Sequence, residues 1–238
     1  MLTYQSLKKL PAVWSVLFVF VLAPAPVVLA QDAFSTNQDS ALFRGEELML
    51  AGSYAAASEI FRQADGLDRI DGLIGASRAL VMMGNYLEAE TLVVEAIEGD
   101  AYADFPLLST QLAEIKRMTG QSRAALDILQ QAIGGNAEPP VRSLVQYGSL
   151  LKFTGQQEQW RQVLDRVVQR YNAGLVFSSE DVAMVALASW LLGNFHDANS
   201  LFDEATRANP NNLEAHTLWA DLFLEKYNAA DAERSYQE

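Results

Sequence analysis

The stretch Gly193-Asn194-Phe195-His196-Asp197-Ala198-Asn199-Ser200-Leu201-Phe202-Asp203-Glu204-Ala205 decides the fold. A glycine and an aromatic residue open it, a small residue follows three positions on, and Phe202, Ala205 and Pro210 complete the unit. The same grammar appears as Gly52-Ser53-Tyr54 with Ala57, Phe61 and Ala64, and as Gly84-Asn85-Tyr86 with Ala89, Val93 and Ala96. Turn glycines at Gly52, Gly84, Gly120, Gly155 and Gly193 are 32, 36, 35 and 38 residues apart. A period in the thirties predicts stacked helix-turn-helix units, each packing only on its neighbours. The drift belongs to the connections, where insertions cost little.

Each unit has a physical logic. The glycine ends a first helix where a left-handed backbone is needed. Small residues at the helix crossing let backbones approach, and large ones fill the flanking gaps. Leu126, Leu129, Ala132 and Ile133 show the i, i+3, i+4, i+7 recurrence of an amphipathic helix. Pro106, Pro139 and Pro140 fall at predicted helix starts. Ser178 or Ser179, ahead of Glu180-Asp181, reads as an N-cap with acids in the first turn.

The pattern resembles the tetratricopeptide repeat (TPR). Gly45, Leu48, Ala57, Phe61 and Ala64 carry the likeness in the first unit, with Ala76 and Leu80 in the second. Leu112-Ala113, Ala125, Leu129 and Ala132 carry it in the third, and Tyr147-Gly148 and Leu151 in the fourth. Ala186, Ala198, Phe202, Ala205 and Pro210 carry it in the fifth. Trp160 stands where a small residue is expected, so the fourth helix pair should splay. The resemblance implies an all-α, right-handed TPR solenoid of about five to six helix-turn-helix repeats over residues 37–238. The units run approximately over 38–69, 70–103, 106–138, 141–174, 179–212 and an incomplete 213–238. In the last, Leu218-Trp219-Ala220 and Phe223 fit a first helix, Tyr227 replaces the turn glycine, and Ala229, Ala232 and Tyr236 start a second. That short second helix is the pattern expected of a chain that continues beyond Glu238, the alternative being a terminal helix that frays and ends there.

Residues 1–30 read as a secretory signal. Lys8 and Lys9 precede the apolar run Leu10 to Ala23, Pro24 and Pro26 break the helix, and Val28-Leu29-Ala30 offers a peptidase site. Cleavage between Ala30 and Gln31 would leave a short polar linker over 31–36, with the periplasm or secretion as the destination. An uncleaved anchor in the inner membrane is the competing expectation.

Composition removes several function classes. Half the residues are hydrophobic, which supports a folded chain, and the net charge is −13. So acidic a surface repels nucleic-acid backbones and anionic lipid heads. The absence of cysteine removes thiol chemistry, disulfides and Cys-based metal sites. His196 and His216 form no metal-binding pair, and no Gly-rich phosphate loop or Gly-x-Ser-x-Gly elbow occurs. Asp65, Asp68 and Asp71 lack the alternation of a calcium loop. The run Glu88, Glu90, Glu95, Glu98, Asp100 and Asp104 reads as a solvated outer face. No catalytic residue, cofactor or metal is expected.

In TPR proteins the first helices line a concave groove that holds a peptide or partner helix. By phase that groove carries Glu46, Met49, Arg78, Met82, Glu114, Arg117, Met118, Arg142, Ser149, Lys152, Phe153, Leu187, Trp190, Asp221 and Glu225. Arg78, Arg117, Arg142 and Lys152 among apolar neighbours favour an acidic or amphipathic peptide. The paired lysines and asparagines of the TPR subclass that clamps a C-terminal carboxylate do not occur. The expectation is a non-catalytic protein-interaction scaffold in the bacterial periplasm. The alternative is the recognition module of a longer exported hydrolase or peptidase. Self-association through Trp219, Phe223 and Tyr236 is a further expectation.

Overall fold

The computed structural model describes residues 40–99, 105–226 and 234–237. The signal, its cleavage at Ala30 and Gln31, and Tyr227, Ala229 and Ala232 lie outside the described residues. Among the described residues, eleven α-helices of eight residues or more follow one another: α1 (Ala41–Leu50), α2 (Tyr54–Phe61), α3 (Arg69–Met82), α4 (Tyr86–Glu98), α5 (Pro106–Met118), α6 (Ser122–Gly134), α7 (Val141–Phe153), α8 (Gln157–Asn172), α9 (Ser179–Leu192), α10 (Phe195–Ala208) and α11 (Leu213–Glu225). These are five antiparallel pairs and the first helix of a sixth, the TPR-like solenoid that the periodicity predicts.

All five marker glycines have positive φ, from 70° at Gly52 to 92° at Gly193. Each turn closes with the same two bonds. In the first, the Ser53 N–H donates to the Leu48 carbonyl at 2.8 Å and the Gly52 N–H to Met49 at 3.0 Å. In the last, Asn194 donates to Ser189 and Gly193 to Trp190, both at 2.9 Å. This is a Schellman cap, which satisfies the last carbonyls of one helix while turning the chain into the next. Ser178 caps α9 by accepting from the Asp181 N–H at 3.1 Å, and Pro106 occupies the first turn of α5.

Within the array, a first helix meets its own second helix, the following first helix and the preceding second helix. The first helices touch in succession: α1 with α3, α3 with α5, α5 with α7, α7 with α9 and α9 with α11. The second helices form no comparable series of contacts. The first helices therefore make the inner, more crowded row. Ala57, Ala89, Ala125 and Ala198 are fully buried where the helices cross. Tyr54 and Phe195 pack half-buried against the core, as their phase predicts.

Two expectations change. Trp160 is buried, yet α7 and α8 lie together as extensively as α5 and α6. Gly148 explains this: a Cβ there would meet Leu164 at 2.6 Å, so the missing side chain supplies the close approach. The indole lies alongside Lys152 and Arg161, 4.8 and 4.6 Å from its centroid. The acidic run of α4 also does more than face solvent. Glu88 accepts from Arg62 at 3.0 Å, and Glu90 from Lys116 at 2.6 Å, which ties α4 to the units before and after it.

Candidate functional site

A cavity of about 270 Å³ opens on the inner row. Glu114 and Arg117 reach it from α5, Arg142, Val145, Gln146 and Ser149 from α7, Met184 and Leu187 from α9, and Glu214 and Leu218 from α11. Four successive first helices thus contribute to one site. The periodicity of the repeat explains why: positions facing inward on each first helix recur with the period of the array.

Of the residues predicted for the groove, Glu114, Arg117, Arg142, Ser149 and Leu187 line this cavity. Arg78, Met82, Met118, Lys152, Phe153 and Trp190 lie outside its lining. Met82, Met118 and Phe153 end their helices two positions before the turn glycine and are exposed, Phe153 by 81 %. Lys152 donates to the Leu191 carbonyl at 2.6 Å, capping the last turn of α9. Trp190 donates from its indole N–H to Glu225 at 2.7 Å.

The groove arginines do not stand free. Arg117 makes two bonds to Glu114, at 2.9 and 2.6 Å. Arg78 lies 3.8 Å from Glu46. Arg142 donates from both terminal guanidinium nitrogens to the two oxygens of Glu214, one at 2.8 Å and the other shorter. These last two residues are 72 positions apart, in the first turns of α7 and α11, with α9 between them. Both side chains retain about a third of their exposure, 33 % and 35 %.

Burial works against the charge on Arg142. The Glu214 bonds and the Glu214, Asp181 and Glu180 carboxylates outweigh it, and the guanidinium pKa is raised. Burial likewise pushes the Glu214 carboxyl up, but the Arg142 bonds and the charges of Arg142 and Arg78 leave it below the ordinary range. Arg117 is raised chiefly by its hydrogen bond to Glu114. Asp71 is raised by burial and by neighbouring Asp68.

Sequence reasoning missed Glu214, Gln146, Met184 and Leu218. Glu214 stands thirteen positions before Tyr227, as Arg142 stands before Gly155, so its phase could have found it. Gln146, Met184 and Leu218 share a different phase, nine positions before the turn, at which no groove residue was predicted. Among the described residues, no group of three or more His, Asp or Glu side chains is placed to hold a metal. Nor is any helix there long and apolar enough to cross a membrane. His216 is buried and sits 3.0 Å through Nε2 from the Pro210 carbonyl, a packing role in the inter-repeat turn.

No family model matches the sequence, and no curated protein matches it. Solved structures do match. A thermophilic TPR protein of Thermus thermophilus is 17 % identical over 79 % of this chain and 99 % of its own, with a TM-score of 0.52. TPR-like repeats of a putative kinesin light chain from Podosopora anserina are 18 % identical over 72 % of this chain and 94 % of theirs, with a TM-score of 0.47. Pseudomonas aeruginosa pilF is 20 % identical over 70 % of this chain and 73 % of its own, with a TM-score of 0.44. The fold is that of a TPR-like solenoid.

Proposed function

We propose that this protein is a non-catalytic interaction scaffold that holds an acidic or amphipathic peptide, or a partner helix, in its inner groove. The observation that carries this reading is the cavity shared by α5, α7, α9 and α11. Its lining combines apolar Val145, Leu187 and Leu218 with Arg117 and Arg142, each paired with a glutamate that also lines it. Apolar surface supplies affinity, and the guanidinium forks supply orientation. No sequence motif supplies a nucleophile or a metal centre. The secretory pattern of residues 1–30 supports the periplasm as the place of action.

Partner capture from periplasmic extract of the producing cells tests the site. Arg117→Glu/Arg142→Glu should lose the partners recovered with the wild type, and equal recovery would overturn the groove assignment. N-terminal sequencing of the native protein tests the cleavage: a chain beginning at Gln31 supports export with cleavage, whereas one beginning at Met1 removes the cleavage and leaves the uncleaved anchor.

A further inference from the structure

The inner row carries three arginine–glutamate pairs: Arg78 with Glu46, Arg117 with Glu114, and Arg142 with Glu214. The first joins neighbouring units and the second stays within one helix. The third alone of these leaps a unit, reaching from α7 past α9 to α11. It therefore holds the spacing of three first helices, and it does so at the wall of the cavity.

The two members of this bridge are not equally held. Arg142 has the Glu214, Asp181 and Glu180 carboxylates close enough to act on it. Glu214 answers to Arg142 directly and to Arg78 at longer range. Glu214 also sits in the first turn of α11, a third exposed, and can swing outward without breaking backbone bonds. Arg142 is held from several sides, because Asp181 and Glu180 still act on it when Glu214 leaves. The exchangeable partner is the carboxylate.

We propose that Glu214 is an internal place-holder for a carboxylate of the partner, and that binding replaces it on Arg142 and releases α11 from α7. This rests on the groove reading above and names its ligand chemistry: an acidic side chain flanked by apolar residues. The incoming carboxylate takes over both guanidinium bonds, so no arginine donor is left unpaired in the groove. The apolar neighbours of that carboxylate cover Val145, Met184, Leu187 and Leu218. The bridge thereby makes the groove selective, since an apolar segment without an acid cannot part the pair.

The test uses the full chain, which has no cysteine of its own. Spin labels at Gln130→Cys on α6 and Thr217→Cys on α11 report the separation across the bridge. The probe is a twelve-residue peptide alternating leucine and glutamate, with its leucine–glutamine analogue as control. Glu214→Gln should lengthen or broaden the label distance and bind the glutamate peptide about tenfold more tightly than the wild type. Saturating peptide should move the wild-type distance to the Glu214→Gln value, and the glutamine analogue should neither bind nor move it. Arg142→Gln should lengthen the distance as well, but should not bind the peptide. An unchanged distance in Glu214→Gln overturns the latch, as does peptide binding to the wild type with no shift. Failure of Glu214→Gln to bind the glutamate peptide overturns the carboxylate assignment. Loss of captured partners in Arg117→Glu/Arg142→Glu, alongside an unmoved label distance in Glu214→Gln, leaves the groove reading standing and removes the latch alone.

Discussion

The first two repeats and the last three obey the same sequence grammar and are built to different strengths. From Ala113 to Leu222 one continuous core of 25 buried apolar residues runs through α5 to α11. The earlier part is divided among the described residues: four around Phe61 and six around Leu73, Val93 and Leu108. The central helix of each region explains the contrast. Eight residues of α9 are buried, on every side of the helix, because α7, α8, α10 and α11 all pack on it. α3, the central helix of the first region, buries seven, but only Leu73 and Leu80 among them are larger than serine, and the end helix α1 buries only Gly45. In a one-dimensional array, stability is a sum of unit and neighbour terms, so a matched motif does not guarantee an equally stable unit. The turn residues set the register, and the bulk on the first helices sets the strength.

Phe202→Ala should break this comparison most severely. Phe202 is fully buried in the continuous core, and its loss should cost about 3–5 kcal/mol. Urea unfolding followed by circular dichroism should show the main transition moving to lower denaturant, and an unmoved midpoint would mean that α9 to α11 are not part of that cooperative unit. Gly75→Ala comes next, at about 1–3 kcal/mol, because the new Cβ would press on Phe61. Hydrogen exchange should accelerate in α1 to α3 and stay unchanged in α7 to α10. Uniform acceleration would erase the division into two regions.

Two smaller changes sharpen the comparison. Ser40 and Ser178 are equivalent N-caps, each accepting a backbone N–H at 3.1 Å. Either alanine variant removes about 1 kcal/mol locally. Ser178→Ala should lower the main unfolding midpoint, whereas Ser40→Ala should only raise exchange in α1. The smallest effect concerns pH. The folded Glu214 carboxyl lies below its ordinary value, so its contribution is present above the unfolded pKa of about 4.3 and is lost as pH falls through the folded one. The label distance across α6 and α11 should be constant at neutral pH and lengthen only in that acidic window. Lengthening that begins near neutrality would assign the transition to another group.

Much of this fold was legible because its determinants are local. Five glycines needed a left-handed backbone, and each is found with one. Ser178 and Pro106 announced helix starts that the structure places there. The part of the site that depends on phase was also within reach, since inward positions repeat. The bridge between Arg142 and Glu214 was not. Its geometry accumulates over two units of curvature, and no local pattern at either residue encodes the other. The close fit of α7 and α8 escaped for a related reason: Trp160 suggested a splayed pair, while the compensating Gly148 stood twelve positions earlier.

The ring of Phe61 sits against two glycines thirty positions apart. A Cβ at Gly45 would approach its Cδ1 to 2.6 Å, and one at Gly75 would approach the same atom to 2.7 Å. A methyl group at either site is blocked by the same aromatic ring, so the order in which this interface could change is constrained. Phe61 must give way to a smaller side chain before either glycine can gain one. The single steps are unfavourable, and the pair Phe61→Leu with Gly75→Ala should be milder than the sum of its parts. The first two units therefore hold a sequence memory: Gly45 and Gly75 are kept by a neighbour's size rather than by any need of their own backbone.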